Sequence, residues 1–302
     1  MKEEKMLRIL VALDGTPRAE TILAAIMPLV RTVRVDLLLL RVVEGPGEVE
    51  AAKAYLSRLE GALALHRIRA ESVVDIGVPA PAILSRLKDG GFDYAAMTTH
   101  GRRGVDRLLM GSVAESVVRS AGLPLIVNRP DARIGDWKRI VVPLDGSPEA
   151  EEILGGVEPL ARMTGATLHL VNVSEVLVSS PGIEFGYAAV TVPDMKPYLA
   201  RMKERLVRRG LEVVTESRIG FPGAEVVQYA GETGAGLIAV TTHGRRGLRR
   251  AIMGSVAEQI LRTSPCAVLV RPLETAGAGG VTATPPQALE AIPGRADGAE
   301  KS

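Results

Sequence analysis

The chain has 302 residues, 46% of them hydrophobic, which is enough for two domains of ordinary size with substantial cores. Lysine and arginine number 37 against 35 acidic residues, and the net charge of +2 is too small to favour nucleic acid or an anionic membrane as the main partner. The single cysteine, Cys266, excludes an intramolecular disulfide, and the apolar run around it favours a buried thiol.

Short apolar runs alternate with helical patterns along the first half of the chain. Thr16 and Pro17 predict the start of the first helix, with Thr16 as N-cap and Pro17 at the first helical position. The predicted strands cover residues 9–13, 35–43, 71–76, 94–98 and 124–127, and further helices cover 48–66, 80–88 and 113–120. Because strands that alternate with helices pair in parallel, this order predicts a doubly wound α/β domain with a five-stranded parallel sheet flanked by helices.

The second half of the chain repeats the first. The segment 7–17 returns at 138–148, and 14 of the 18 residues in 98–115 are identical in 241–258. The repeat ends in a predicted strand at 265–270. Pro28 and Pro159 occupy matching positions inside the first helix of each copy, which favours duplication over coincidence because proline in a helix interior is costly. We therefore predict two tandem domains, 1–132 and 133–273.

Two segments do not fit the repeat. The second copy has twelve extra residues, since the offset between copies rises from 131 to 143 (143 − 131 = 12), and residues 174–198 are the expected loop. Residues 274–302 are rich in Ala, Gly and Pro and are expected to form a disordered tail. The N-terminal apolar run is too short for a signal peptide or a membrane span, so a cytoplasmic protein without membrane contact is expected.

The repeated segment 98–115 carries the clearest chemical signal. Gly101, nine further residues, Gly111 and Ser112 connect a predicted strand to a helix, and Gly244, Gly254 and Ser255 repeat the pattern. A helix start that follows a glycine-rich loop offers amide donors and a positive dipole end to an anion such as phosphate. The alternative is a capping box, because Ser112 and Ser255 are each followed three residues later by glutamate.

A carboxylate follows the first strand of each copy. Asp14 and Asp145 should lie at the same sheet edge as the glycine motif, where they could accept hydrogen bonds from ribose hydroxyls or an adenine amine. The alternative is that each forms an Asx-turn that shapes its loop. Together with an anion site, the carboxylates favour a nucleotide as ligand.

These motifs make both halves resemble universal stress protein domains, whose nucleotide motif is G-x2-G-x9-G-[S/T]. The resemblance implies an adenine nucleotide alpha-hydrolase-like fold that binds ATP, with or without Mg²⁺, in each half. It also implies a pseudo-dimer of the halves through the strands at 124–127 and 265–270, with a further homodimer as an option. The implied nucleotide contacts in the first half are Asp14, Val42, Thr98, Gly101, Gly111, Ser112 and Val113; in the second half they are Asp145, Val173, Thr241, Gly244, Gly254, Ser255 and Val256.

One departure from this motif leaves alternatives open. Thr98 and Thr241 replace the first glycine, and a threonine there would be strained if the position needed a positive φ. A nucleotide-free scaffold with this fold is therefore one alternative to a regulatory nucleotide-binding module, and a slow ATP hydrolase is another. His100 and His243 have no partnered nucleophile in the motif, so we predict no catalytic residue and no metal ligands.

Overall fold

Ten strands and nine α-helices alternate along residues 6–99, 110–175, 194–242 and 253–273, the part of the chain that the computed structural model describes. The first half contains β1 (Leu7–Ala12), α1 (Pro17–Val30), β2 (Val35–Val43), α2 (Val49–Leu65), β3 (Arg69–Ile76), α3 (Pro79–Asp89), β4 (Tyr94–Thr98), α4 (Ser112–Ser120) and β5 (Leu125–Asn128). The second half contains β6 (Arg139–Pro143), α5 (Pro148–Glu151), α6 (Leu154–Thr164), β7 (Thr167–Ser174), α7 (Lys196–Val207), β8 (Val213–Ile219), α8 (Pro222–Thr233), β9 (Leu237–Thr241), α9 (Ser255–Thr263) and β10 (Ala267–Arg271).

All ten strands belong to one sheet, in the order β3-β2-β1-β4-β5-β10-β9-β6-β7-β8. Within each half the strands are parallel, as the alternating pattern predicted. β5 and β10 pair antiparallel, with Ile126 opposite Leu269. Since the halves therefore run in opposite directions, the carboxyl ends of their strands lie at opposite edges of the sheet.

Each face of the sheet carries a hydrophobic core that runs through both halves. Alternate strand residues point to opposite faces, so that Leu37 and Leu39 of β2 lie in one core and Leu40 in the other. The first core packs under α1, α2, α6 and α7, and the second under α3, α4, α8 and α9. Trp137, the single tryptophan, lies in the first core and is 3% exposed.

The predicted start of α1 is confirmed in atomic detail. Thr16 has extended backbone angles, its hydroxyl accepts a hydrogen bond from the Ala19 amide at 3.2 Å, and Pro17 occupies the first turn. Ser147 caps α5 in the same way through the Ala150 amide, also at 3.2 Å. An N-cap satisfies an amide that the helix itself leaves without a partner, which explains why both copies keep a hydroxyl at this position.

The copies differ in the helix that follows this cap. α1 is continuous through Pro28, whereas the second half breaks its helix into α5 and α6 and carries Pro159 inside α6. The break precedes Gly155 and Gly156, which replace two alanines of the first copy, and glycine is a poor helix former. Gly156 also lies close to Pro124 of the first half: a Cβ built on Gly156 would be 3.1 Å from the proline Cγ.

Several predicted features lie outside the described residues. The extra segment of the second copy is described only at its ends, where β7 stops at Ser174 and α7 begins at Lys196. The predicted tail at 274–302 is not described. Within the described residues, no helix combines the length and the hydrophobicity that a membrane span requires.

Candidate functional site

The loop after the first strand of each half is built around an aspartate. The Oδ1 atom of Asp14 accepts hydrogen bonds from the Thr16 amide at 2.9 Å and from the Thr16 hydroxyl at 2.7 Å. Asp145 makes the same contacts with Ser147, at 2.9 and 2.6 Å. These are the Asx-turns that the sequence allowed. The Oδ2 atom of Asp14 is buried and has no hydrogen-bond partner among the described residues, so it remains an acceptor for a donor outside the loop.

The glycine-rich motif ends in a bare helix start in both halves. Gly111 is the N-cap of α4, with φ −62° and ψ 145°, and Gly254 is the N-cap of α9, with φ −63° and ψ 144°. Neither helix has a side-chain cap, and the hydroxyls of Ser112 and Ser255 are exposed in the first helical position. Any residue can adopt these backbone angles, so the conformation does not explain the glycines, whereas close approach of a ligand would.

The capping box that the sequence allowed does not form. Gly111 is the cap, and Ser112 follows it inside the helix, one position too late to cap it. Glu115 pairs with Arg119 one turn on, and Glu258 pairs with Arg262 at 3.4 Å. The pattern Ser-x-x-Glu therefore supports an exposed i,i+4 ion pair in each helix and leaves the amides at the helix start to other partners.

The two threonines that replace the first glycine of the motif fit their positions without backbone strain. Thr98 and Thr241 are the last residues of β4 and β9 and are 7% and 4% exposed. Neither has a positive φ, since Arg67 is the non-glycine residue with positive φ in the described chain. The next residue in each half anchors the motif, because the carbonyl oxygens of Thr99 and Thr242 accept hydrogen bonds from the Gly111 and Gly254 amides at 2.6 and 2.7 Å.

The remaining predicted contacts divide into described and undescribed residues. Val42 and Val173, late in β2 and β7, and Val113 and Val256, in the first turns of α4 and α9, are partly buried against the second core. The carboxyl ends of β1, β2 and β4 meet at one edge of the first half, so the topology brings these residues towards Asp14 and Gly111. Gly101 and Gly244, as well as His100 and His243, lie outside the described residues.

A polar cluster behind the Asp14 loop was not predicted from the sequence. Arg41 and Arg58 lie on the ring of Tyr55, with guanidinium carbons 5.2 and 5.4 Å from its centroid. Arg58 also pairs with Glu20 at 2.6 Å. Burial, together with the negative charges of Glu20 and Asp14, raises the pKa of the Tyr55 phenol. The signal that could have revealed the cluster is Arg41 itself, a charged residue that interrupts the apolar run 37–43 of β2.

In the second half, the tyrosine equivalent to Tyr55 is Tyr198, and its hydroxyl is hydrogen-bonded. The Tyr198 hydroxyl donates to the Glu151 carboxylate at 3.0 Å, and Arg205 binds the other oxygen of that carboxylate at 3.0 Å. The Tyr55 hydroxyl, in contrast, is buried and without a hydrogen-bond partner in the described part of the chain. The two loops thus rest on differently organised polar groups.

Both halves of the chain match a known protein family. The model of the universal stress protein family matches residues 6–129 and again residues 136–272. The chain belongs to the universal stress protein family. A universal stress protein of Methanocaldococcus jannaschii is 30% identical over 139 residues, which cover 44% of this chain and 81% of that protein. One from Mycobacterium tuberculosis is 28% identical over 236 residues, covering 75% of this chain and 77% of its own length.

Solved structures of universal stress proteins share the fold over nearly the whole chain. The structure from Archaeoglobus fulgidus has a TM-score of 0.70 at 21% identity and covers 88% of this chain and 98% of its own. A putative universal stress protein from Pseudomonas aeruginosa has a TM-score of 0.62 at 17% identity and covers 89% and 94%. At these identities the comparison shows the fold, an α/β sheet flanked by helices, with the universal stress protein domain present twice.

Proposed function

We propose that each half of this universal stress protein binds an adenine nucleotide, ATP in particular, at the carboxyl edge of its strands, and that the protein is a nucleotide-dependent regulatory module of the stress response. The observation that carries the proposal is the pair of uncapped helix starts at Gly111 and Gly254, whose backbone angles agree within 1°. Two helices that leave the same amides without a side-chain cap, behind the same glycine motif, are suited to bind an anion twice.

The described residues suit a nucleotide at both of its ends. The amides at the start of α4 and α9 and the hydroxyls of Ser112 and Ser255 would hold the phosphates. The buried Oδ2 atom of Asp14 would accept a hydrogen bond from a ribose hydroxyl. Bound ATP would supply the negative charge that the helix dipoles favour. Val42 and Val173 would line the base, and Gly101 and Gly244 remain predictions.

We propose binding with at most slow hydrolysis. In the described ranges, no group of three or more His, Cys, Asp or Glu side chains is arranged to hold a metal ion, so any Mg²⁺ would be carried by the phosphates. Efficient phosphoryl transfer also needs a residue that positions the attacking water, and the repeated sequence motif offers no residue for that role. We further propose that the antiparallel pairing of β5 with β10 holds the halves together as a pseudo-dimer in solution, and that the protein is cytoplasmic.

The test is to denature the purified protein, analyse the released small molecules for adenine nucleotides, and measure the thermal shift with added ATP. Ligand at a hundredfold excess over Kd stabilises the folded state by about 2.7 kcal/mol. The double variant Gly111→Val and Gly254→Val should abolish both the bound nucleotide and the shift. Gly61→Val is the matched control, because a Cβ on this exposed helical glycine meets no atom within 4 Å. A protein that releases no nucleotide and melts at the same temperature with and without ATP would show that the proposal is wrong.

A further inference from the structure

Arg41 places a buried charge directly behind the Asp14 loop. The side chain is 8% exposed, although it belongs to β2, whose neighbouring residues are apolar. Its guanidinium packs against Gly15, so closely that a Cβ on that glycine would lie 2.7 Å from the arginine Cζ. Gly15 has φ +87°, a conformation that strains any larger residue, and a side chain there would also displace the tip of Arg41.

This charge forms no salt bridge among the described residues. Arg41 makes no hydrogen bond and no ion pair there, and its Nε atom is buried without a partner. Of the two carboxylates whose charges act on Tyr55, Glu20 binds Arg58, whereas Asp14 bonds Thr16 through Oδ1 and keeps its negative charge. A buried charge is costly unless it is paired, and its field is weakly screened in a low-dielectric environment. Arg41 therefore adds, beside the first-half site, a positive charge that no salt bridge among the described residues neutralises.

The second half lacks this charge at the same position. Asn172 follows Arg41 by 172 − 41 = 131 residues, the repeat offset, and its amide donates to the Leu144 carbonyl oxygen at 2.8 Å. Two further arginines of this half face carboxylates, with Arg205 at 3.0 Å from Glu151 and Arg271 at 3.8 Å from Glu152. Asp14 and Asp145 are common to both halves, whereas Arg41 against Asn172 is a buried difference in charge between the two loops. At the start of the following helix, Arg18 of the first half also stands against Glu149 of the second.

We infer that Arg41 is a specificity-determining residue that makes the first-half site select nucleotides by their negative charge more steeply than the second-half site. The inference rests on the proposed function. Each phosphate added to a nucleotide brings negative charge into the field of Arg41, whereas the neutral Asn172 gives no such gain. For two additional ligand charges we expect the preference for ATP over AMP to differ by about threefold to tenfold, and to weaken as salt is added.

The experiment measures the dissociation constants of ATP and AMP, without Mg²⁺, at two salt concentrations. The full-length chain carries Gly254→Val, so that binding reports the first half. Arg41→Asn, the residue of the second half, should lower the ratio Kd(AMP)/Kd(ATP) by about threefold to tenfold. Arg41→Lys keeps the charge and should keep the ratio, which a purely structural role of the guanidinium would not allow. The reciprocal change, Asn172→Arg in a Gly111→Val chain, should raise the ratio.

The outcomes are distinguishable. If ATP binds and Arg41→Asn leaves the ratio and its salt dependence unchanged, the charge-selection inference is wrong while nucleotide binding stands. If the unsubstituted chain binds neither ATP nor AMP, both proposals fall. Arg41→Gln, closer in size to arginine, serves if Arg41→Asn does not fold, and it should lower the ratio in the same way.

Discussion

The Tyr94 hydroxyl donates a buried 2.9 Å hydrogen bond to the Gly156 carbonyl oxygen, and this bond links β4 of the first half to α6 of the second. Position 237, which corresponds to Tyr94 in the second half, is a leucine, so the bond has no symmetric counterpart. Burial raises the pKa of the Tyr94 phenol, so the hydroxyl stays protonated and donates at all ordinary pH values.

Tyr94→Phe should lower the free energy of unfolding by about 1 kcal/mol, because it removes a buried donor between the halves. Tyr55→Phe is the matched control: the Tyr55 hydroxyl has no partner in the described part of the chain, so its loss should be neutral or slightly stabilising. Urea unfolding followed by Trp137 fluorescence measures both. Equal effects of the two substitutions would contradict an energetic role for the bond to Gly156.

The uncapped helix starts predict a separation between stability and binding. Ser112→Ala and Ser255→Ala should change the free energy of unfolding by less than about 0.5 kcal/mol, because neither hydroxyl caps its helix. Thr16→Ala removes an observed cap and should cost about 1 kcal/mol. Ser112→Ala and Ser255→Ala should nevertheless weaken ATP binding. A loss of stability in Ser112→Ala as large as in Thr16→Ala would restore the capping interpretation.

Whether Thr98 and Thr241 are compatible with nucleotide binding can be tested by replacing them with the glycine of the family motif. Thr98→Gly should lower stability by about 1 kcal/mol, because glycine weakens a strand and Thr98 is buried with a negative φ. Since the threonine backbone is unstrained, the glycine should bring no gain in ATP affinity. Calorimetric titration of Thr98→Gly and Thr241→Gly checks this point. A tenfold tighter Kd in either variant would mean that the threonine side chain obstructs the ligand.

His169 should make stability depend on pH. Its ring lies in the second core within 2.9 Å of the Tyr229 hydroxyl, and burial, followed by the positive charge of Arg139, lowers its pKa. The unfolded chain then binds a proton more readily, so stability is complete above about pH 6.5, the ordinary histidine pKa, and falls as the pH drops below it. His169→Leu, the residue that stands at position 38 of the first half, should remove this component. The comparison is made by urea unfolding at pH 7.5 and 5.5; parallel losses in both proteins would count against it.

The repeat explains how much of the fold was predictable. Each half supplied the same strand and helix pattern, and local signals such as Thr16 before Pro17 located the helix start correctly. The capping box could not be decided from the sequence, because the pattern Ser-x-x-Glu is the same whether the serine is the N-cap or the first residue of the helix. Only the backbone conformation of Gly111 separates the two cases.

Other features depend on contacts that no local pattern contains. The interruption between α5 and α6 follows from Gly155 and Gly156, yet the contacts of Gly156 with Tyr94 and Pro124 join segments 62 and 32 residues apart (156 − 94 and 156 − 124). Arg41 lies in a run that predicts only a buried strand, so its contact with Gly15 could not be inferred from spacing. A difference between the copies, Arg41 against Asn172, was the available signal.

The opposite direction of the two halves has a consequence for how partner proteins could bind. If each carboxyl edge holds a nucleotide, the two ligand-dependent surfaces face away from each other across the sheet. Two partner molecules could then dock at the same time without steric competition. A chain with nucleotide bound in only one half would be asymmetric, with one occupied and one empty edge. Each half could then signal its own nucleotide occupancy to a separate partner protein.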